Sequence, residues 1–482
     1  VTTGTRSDAK PLWQWDAHEV VAATTSGEVS CAEVARSVVD RIEAANPAVN
    51  AVTLAMGDSA VAAARALDDG FARGEPPGAL HGVPVTIKDN VDVAGQRTPN
   101  GLPGLADLVA AGDSPVTRNW LGAGAVLVGR TNTPEVSMRP TTDNPLYGLT
   151  LNPWDARVSA GGSSGGAAVS AALGFGALAH GNDIGGSVRI PALHCGVPGI
   201  KPSQGRVPAF LTTAAYERST VAALMSVQGV LARSVADVRR GLAVMSRRDV
   251  RDPWWVPAPL EGPVVPRRAA VLRRVEGEVP TAPAVLASLD RAAAALAAAG
   301  YEVVEVDEAR TPGMARTARL AVRLLMNDLD HQLTPVLDRL GSAAMRRYWA
   351  ALRSLATPYP TPGDHVDDLA ARTTLVREWL LFLEEHPVLV LPQLLGGVLE
   401  VGEDIRSDDD VRRVWHSLAP SIAVNLLGLP AALAPTGLDD AGVPSGVQLL
   451  ASKYREDVCL DAAQAVEDAV GRLSPVLWSR AG

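Results

Sequence analysis

The residues with most capacity for chemistry lie in one stretch, "AGGSSGGAAVSAALGFGALAHGNDIGGSVRIP", from Ala160 to Pro191. It carries two Gly-Gly-Ser signals, ending at Ser163 and Ser187, a single histidine, His180, and no lysine. A serine hydroxyl is a weak nucleophile until a base takes its proton, so the stretch offers nucleophiles and lacks an evident base. Between the serines, residues 165–174 predict an Ala-rich helix and residues 177–182 an extended return. A helix of about ten residues travels ~15 Å and a strand of about five covers ~16 Å, so out and back the two serines meet. The glycines of "DIGGS" let successive backbone N–H groups converge on one point, as an anion nest or oxyanion hole does. A pair of plain glycine turns is the bland alternative.

The base must come from elsewhere. "VTIKDN" puts Lys88 at the end of an apolar run that reads as a strand. Burial there disfavours the ammonium and makes a neutral amine available, which allows a relay from Ser187 through Ser163 to Lys88. The competing reading is a lysine that snorkels to solvent. Two other motifs point to different chemistry. "GAVLVGRT", Gly124 to Thr131, has P-loop spacing with Arg130 in place of the lysine, but Ala-Val-Leu-Val favours a strand over a phosphate loop. "GGSSG" satisfies G-x-S-x-G, yet "NPWDARVSA" before it forms no elbow strand, and His194, His331, His365, His386 and His416 sit in no informative motif. No His/Cys/carboxylate cluster has metal-ligand spacing.

The elements that must position these residues alternate. "SCAEVARSVVDRIEAANP" predicts a helix with Ser30 and Glu33 as a capping box and Pro47 as its stop, and "DSAVAAARALDDG" a second helix ending near Gly70. "GVPVTIKDN", "GAVLVGRTN", "RAAVLRRV", "YEVVEVD" and "PVLVLP" predict buried strands, and "LASLDRAAAALAAAG" a helix between two of them. Residues from about Pro312 to Glu385 read as helical. Alternating strands and helices define an α/β class.

Bulk properties narrow the function. Of 482 residues, 47% are hydrophobic and 20% charged, as in ordinary soluble globular chains, and the net charge of -9 argues against coating a nucleic acid. Three scattered cysteines, Cys31, Cys195 and Cys459, give no disulfide framework and favour a reducing compartment. The opening residues have no apolar leader, and the uncharged stretches 158–182 and 418–438 are broken by Gly or Pro, so neither a secretory signal nor a membrane span is expected.

"GVPVTIKDN", "GRTNTPEVS", "NPWDARVSAGGSSGG", "NDIGGSVRIPALHCGVPGIKPSQGRVP" and the C-terminal "NLLGLPAALAPTGLDDAGVPSGVQLLASKYREDVCLDAA" together resemble the amidase signature family, in the family's order and over nearly the whole chain. The resemblance implies an α/β/α fold with a large central mixed β-sheet flanked by helices. It makes the chain a single amidase domain over 1–482: an N-terminal helical arm 1–70, a signature core 75–245, a variable helical region 246–380 and the C-terminal part of the core 381–482. It assigns Ser187 as nucleophile, Ser163 as bridging serine after a cis Gly162–Ser163 bond, and Lys88 as base. The amides of Ile184, Gly185, Gly186 and Ser187 become the oxyanion hole, with Ser164, Asp183 and Arg189 in support. Asn182-Asp183-Ile184 stands where many members have Thr-Asp-Thr.

The expected activity is hydrolysis of small, neutral, aryl-bearing amides, extending to esters and aryl carbamates, in the cytoplasm. Neither cofactor nor metal, nucleic acid nor membrane is expected, and a homodimer is compatible with the sequence. Pocket walls are expected from the variable region and from the loops 138–147 and 207–225, with no charged clamp for the acyl group. The alternatives are a glutamine-hydrolysing subunit of an RNA-dependent amidotransferase and a nucleotide-binding protein using Gly124 to Thr131.

Overall fold

The structure, a computed structural model, describes residues 10–480. The first nine residues, part of the stretch in which a leader would fall, lie outside the described residues. Eleven strands form one sheet: β1 (Val52–Ala55), β2 (Pro84–Lys88), β3 (Val126–Thr131), β4 (Leu178–Asp183), β5 (Gly199–Lys201), β6 (Val227–Ala232), β7 (Arg268–Leu272), β8 (Glu302–Val306), β9 (Val388–Leu391), β10 (Ala431–Leu438) and β11 (Pro444–Leu450). Their spatial order is β1-β3-β2-β4-β6-β5-β10-β11-β9-β7-β8. The sheet is mixed: β3-β2-β4 and β9-β7-β8 run parallel, and the pairs between and outside them are antiparallel.

Alternation along the strands sends side chains to two cores. Ala270 and Leu272 face one, with the helices Cys31–Ala45, Gly165–Leu173 and Met314–Leu340; Ala269 and Val271 face the other, with Val235–Met245, Pro283–Ala298 and Glu456–Val470. This is the expected three-layer α/β/α arrangement. The helix Gly165–Leu173 is buried on every side, which its Gly/Ala/Ser composition allows. The capping box of Ser30 and Glu33 is formed.

The structure differs from the sequence reading in places. The second helix runs to Ala72, past Gly70. The stretch 1–70, expected as a helical arm, also contributes β1, and β7 and β8 lie inside 246–380, so helices fill only the later part of that region: Met314–Leu340, Ala343–Arg353 and Pro362–Glu385. β5, β6, β10 and β11 are strands that the sequence pattern does not announce. Gly124 to Thr131 forms no phosphate loop: β3 occupies it, and the Arg130 guanidinium donates to the carbonyls of Val91 at 2.6 Å and Arg97 at 3.0 Å. Among the described residues, no helix is long and apolar enough to cross a membrane.

Candidate active site

The site lies at the carboxyl ends of the adjacent parallel strands β2 and β4, where open α/β sheets leave a crevice. Lys88 is the last residue of β2, behind the apolar Val85 and Ile87, and is fully buried. Its Nζ lies 2.8 Å from Ser163 Oγ, 3.0 Å from Ser164 Oγ and 2.8 Å from Asn182 Oδ1. All three neighbours are uncharged. Burial pushes the Lys88 ammonium well below its ordinary pKa, and the more distant Asp183 offsets this only in part.

His180 cannot take the proton. The Lys88 backbone N–H donates to His180 Nδ1 at 3.4 Å, so the ring proton sits on Nε2 and donates to Gln228 Oε1 at 2.8 Å. Burial drives the ring down to about 3, which keeps it neutral and fully engaged. His194 is likewise committed, with Nδ1 2.8 Å from the Ile190 carbonyl and Nε2 accepting from Leu399 N–H at 2.9 Å.

The peptide bond Gly162–Ser163 is cis, and Ser163 and Ser164 precede the buried helix. The return through β4 delivers "DIGGS" beside them, and Ser164 N–H donates to the Ser187 carbonyl at 3.2 Å. Thus the two Gly-Gly-Ser signals meet. Gly186 has φ +121°, and a Cβ there would strike Ser421 Oγ and Ile190, so only glycine lets the loop turn here. Ser187 Oγ makes no hydrogen bond among the described residues.

Asp183 and Arg189 hold this loop from behind. Asp183 accepts from the amides of Gly186 at 2.7 Å and Val188 at 3.0 Å, and from Arg189 Nη2 at 3.0 Å. Burial alone would raise its carboxyl; the Arg189 guanidinium outweighs that and holds it well below the usual range. Arg189 also donates to Gln448 Oε1 at 2.7 Å, Asn425 Oδ1 at 2.6 Å and the Ser421 carbonyl at 3.1 Å. The Gly186 amide is therefore already engaged by Asp183. The amides of Ile184, Gly185 and Ser187 have no hydrogen-bond partner among the described residues.

Ser163, Asn182 and Ser187 open into a cavity of about 280 Å³, at the small end of ligand pockets. Val116, Met138, Phe210 and Leu333 give it an apolar wall. Arg218 also reaches this wall, a charged residue that the sequence does not mark as part of the site. Sequence reasoning noted Asn182 only as a departure and missed Asn90, Gln228 and Asn425. Their side-chain partners lie 47 or more positions away, so no local spacing marks them.

A family model described as Amidase matches residues 33–460. An indoleacetamide hydrolase of Bradyrhizobium diazoefficiens is 45% identical over 97% of this chain and 89% of its own length. A glutamyl-tRNA(Gln) amidotransferase component from Synechococcus is 32% identical over 92% of this chain and 95% of its own. A bacterial aryl acylamidase of the amidase signature family superposes with a TM-score of 0.83 at 26% identity, over 98% of this chain and 99% of that one. The chain belongs to the amidase family, the amidase signature enzymes. It is an amidase, a hydrolase of amides.

Proposed function

We propose that this amidase cleaves small, neutral, aryl-bearing amides of the arylacetamide kind through an acyl-enzyme on Ser187. The observation that carries the reading is Lys88: buried, contacted only by neutral oxygens, and 2.8 Å from Ser163 Oγ beside a cavity shared with Ser187. A neutral amine is a competent base near pH 7. Ser187 Oγ attacks the carbonyl carbon as its proton passes to Ser163, whose own proton passes to Lys88. Negative charge on the carbonyl oxygen is met by the free amides of Ile184, Gly185 and Ser187. As the tetrahedral intermediate collapses, the proton returns through Ser163 to the leaving nitrogen and the C–N bond breaks. Water repeats the sequence on the acyl-enzyme, releasing the acid and restoring Ser187. Ser164, Asp183 and Arg189 support the arrangement without reacting.

The substrate class is supported by the apolar cavity wall, by the indoleacetamide hydrolase relative at 45% identity and by the aryl acylamidase neighbour. An ester or an aryl carbamate presents the same planar carbonyl and falls within the same chemistry. The buried free thiols of Cys31, Cys195 and Cys459 suit a cytoplasmic enzyme. The test is a hydrolysis panel of indole-3-acetamide, an acetanilide, its matching carbamate and free glutamine, with Ser187→Ala alongside. Wild type is expected to cleave the aryl amides, and Ser187→Ala to be inert and unlabelled by a fluorophosphonate. Preference for glutamine would move the assignment toward the glutamine-hydrolysing amidotransferases; labelling at Ser164 with an active Ser187→Ala would remove Ser187 as nucleophile.

A further inference from the structure

We propose that Asn182, oriented by Asn90, is a positioning residue that turns the Lys88 lone pair onto Ser163. The inference rests on Lys88 acting as the base.

A neutral amine has two N–H bonds and one lone pair, and Lys88 Nζ has three oxygen neighbours. Which neighbour faces the lone pair decides whether Ser163 can be deprotonated, and the surrounding hydrogen bonds decide that. Ser137 Oγ donates to Asn100 Oδ1 at 2.7 Å. It is therefore an acceptor toward Asn90 Nδ2, 2.9 Å away. That choice turns Asn90 Oδ1 toward Asn182, whose Nδ2 donates to it at 3.0 Å. With its NH2 committed, Asn182 presents Oδ1 to Lys88, an oxygen that accepts and cannot donate. The Ser164 hydroxyl is directed at the Asn182 carbonyl, 3.4 Å away, so it too accepts from Lys88. Both N–H bonds are then spent, and the lone pair is left for Ser163 Oγ.

A hydroxyl at residue 182 could donate or accept, whereas the Asn182 carboxamide is locked in one orientation. The anchor of that lock, Ser137, sits in a left-handed turn with Val136, at φ +57° and +48°. A β-branched residue in that region is a strained outlier, and here the strained turn presents the Ser137 hydroxyl to Asn90.

The charged and titratable groups around Lys88 are Asp183 and neutral His180 on β4, Arg130 on β3 and the adjoining Asp89. None of the carboxylates forms an ion pair with Nζ among the described residues, so a carboxylate in place of the Asn182 amide would add the first. Asn182→Asp, nearly isosteric, is expected to hold Lys88 protonated and move the rising limb of kcat/KM upward by about one to three pH units, with activity recovered at high pH. Asn182→Leu removes the acceptor and is expected to lower kcat roughly 10- to 100-fold with KM little changed, the scale of a misplaced reacting group. Both are compared with wild type by thermal melting and with Lys88→Met for activity. Wild-type kcat and pH profile in either folded variant, beside an inactive Lys88→Met, would overturn the positioning role alone. A fully active Lys88→Met would remove the lysine base and this inference with it.

Discussion

Two buried cations serve the same loop and are surrounded in opposite ways. Arg189 faces the Asp183 carboxylate and three neutral acceptors. Lys88 faces two hydroxyls and a carboxamide. A guanidinium keeps its charge in proteins, so the fold must neutralise it. An ammonium can shed its proton, and a ring of neutral oxygens lets it do so. The partner set thus separates a side chain that stays charged and holds structure from one that can lose its proton, as the proposed base must, although both are fully buried and Asp183 acts on each.

The largest expected effect breaks the lysine side. Lys88→Met should lower kcat/KM by roughly three to five orders of magnitude, as loss of a member of a coupled catalytic unit does, with the fold retained. Single-turnover rates and a melting curve read both. With the neutral amine as the proposed base, kcat/KM should rise with pH and level off well below the ordinary lysine value of 10.5.

Breaking the arginine side should cost stability first. Asp183→Asn leaves a buried guanidinium without its counter-ion and should destabilise the fold by about 3–5 kcal/mol in denaturant titration. The wild-type carboxyl is depressed, so its contribution is present above the unfolded value of about 3.9 and is lost as pH falls below it. In Asp183→Asn that acid-side loss should disappear.

The smallest effect sharpens the contrast. Gln448→Leu removes one neutral acceptor of Arg189, 2.7 Å away. It should cost about 1.5–3 kcal/mol, the worth of a hydrogen bond to a charged group, and leave the pH dependence of turnover where it was. A shifted pH profile would mean that the two cations are not separable.

The sequence exposed the parts whose chemistry is local. Lys88 stands out because a charge ends an apolar run, and the meeting of Ser163 with Ser187 follows from the lengths of a helix and a strand. The Asn90–Asn182 pair was invisible because its members are 92 positions apart and polar residues at strand ends carry no periodicity. β10 was hidden by Pro435, which sits where the register slips between Pro435 and Gly437, a place where a strand tolerates proline. The Gly186 amide could not be distinguished from its neighbours by sequence, since its engagement depends on how the Asp183 carboxylate turns back.

The helix Met314–Leu340 departs from the sheet after β8, which lies at the edge opposite β1, and the chain re-enters at β9 only after two more helices. It nevertheless sends Leu329, Gln332 and Leu333 to the cavity. On the proposed reading, what the enzyme admits is written partly on a segment far along the chain from β2, which carries Lys88. Substitutions there can drift, or be randomised in a library, and are expected to change which acyl groups fit while leaving the proposed proton path as it is.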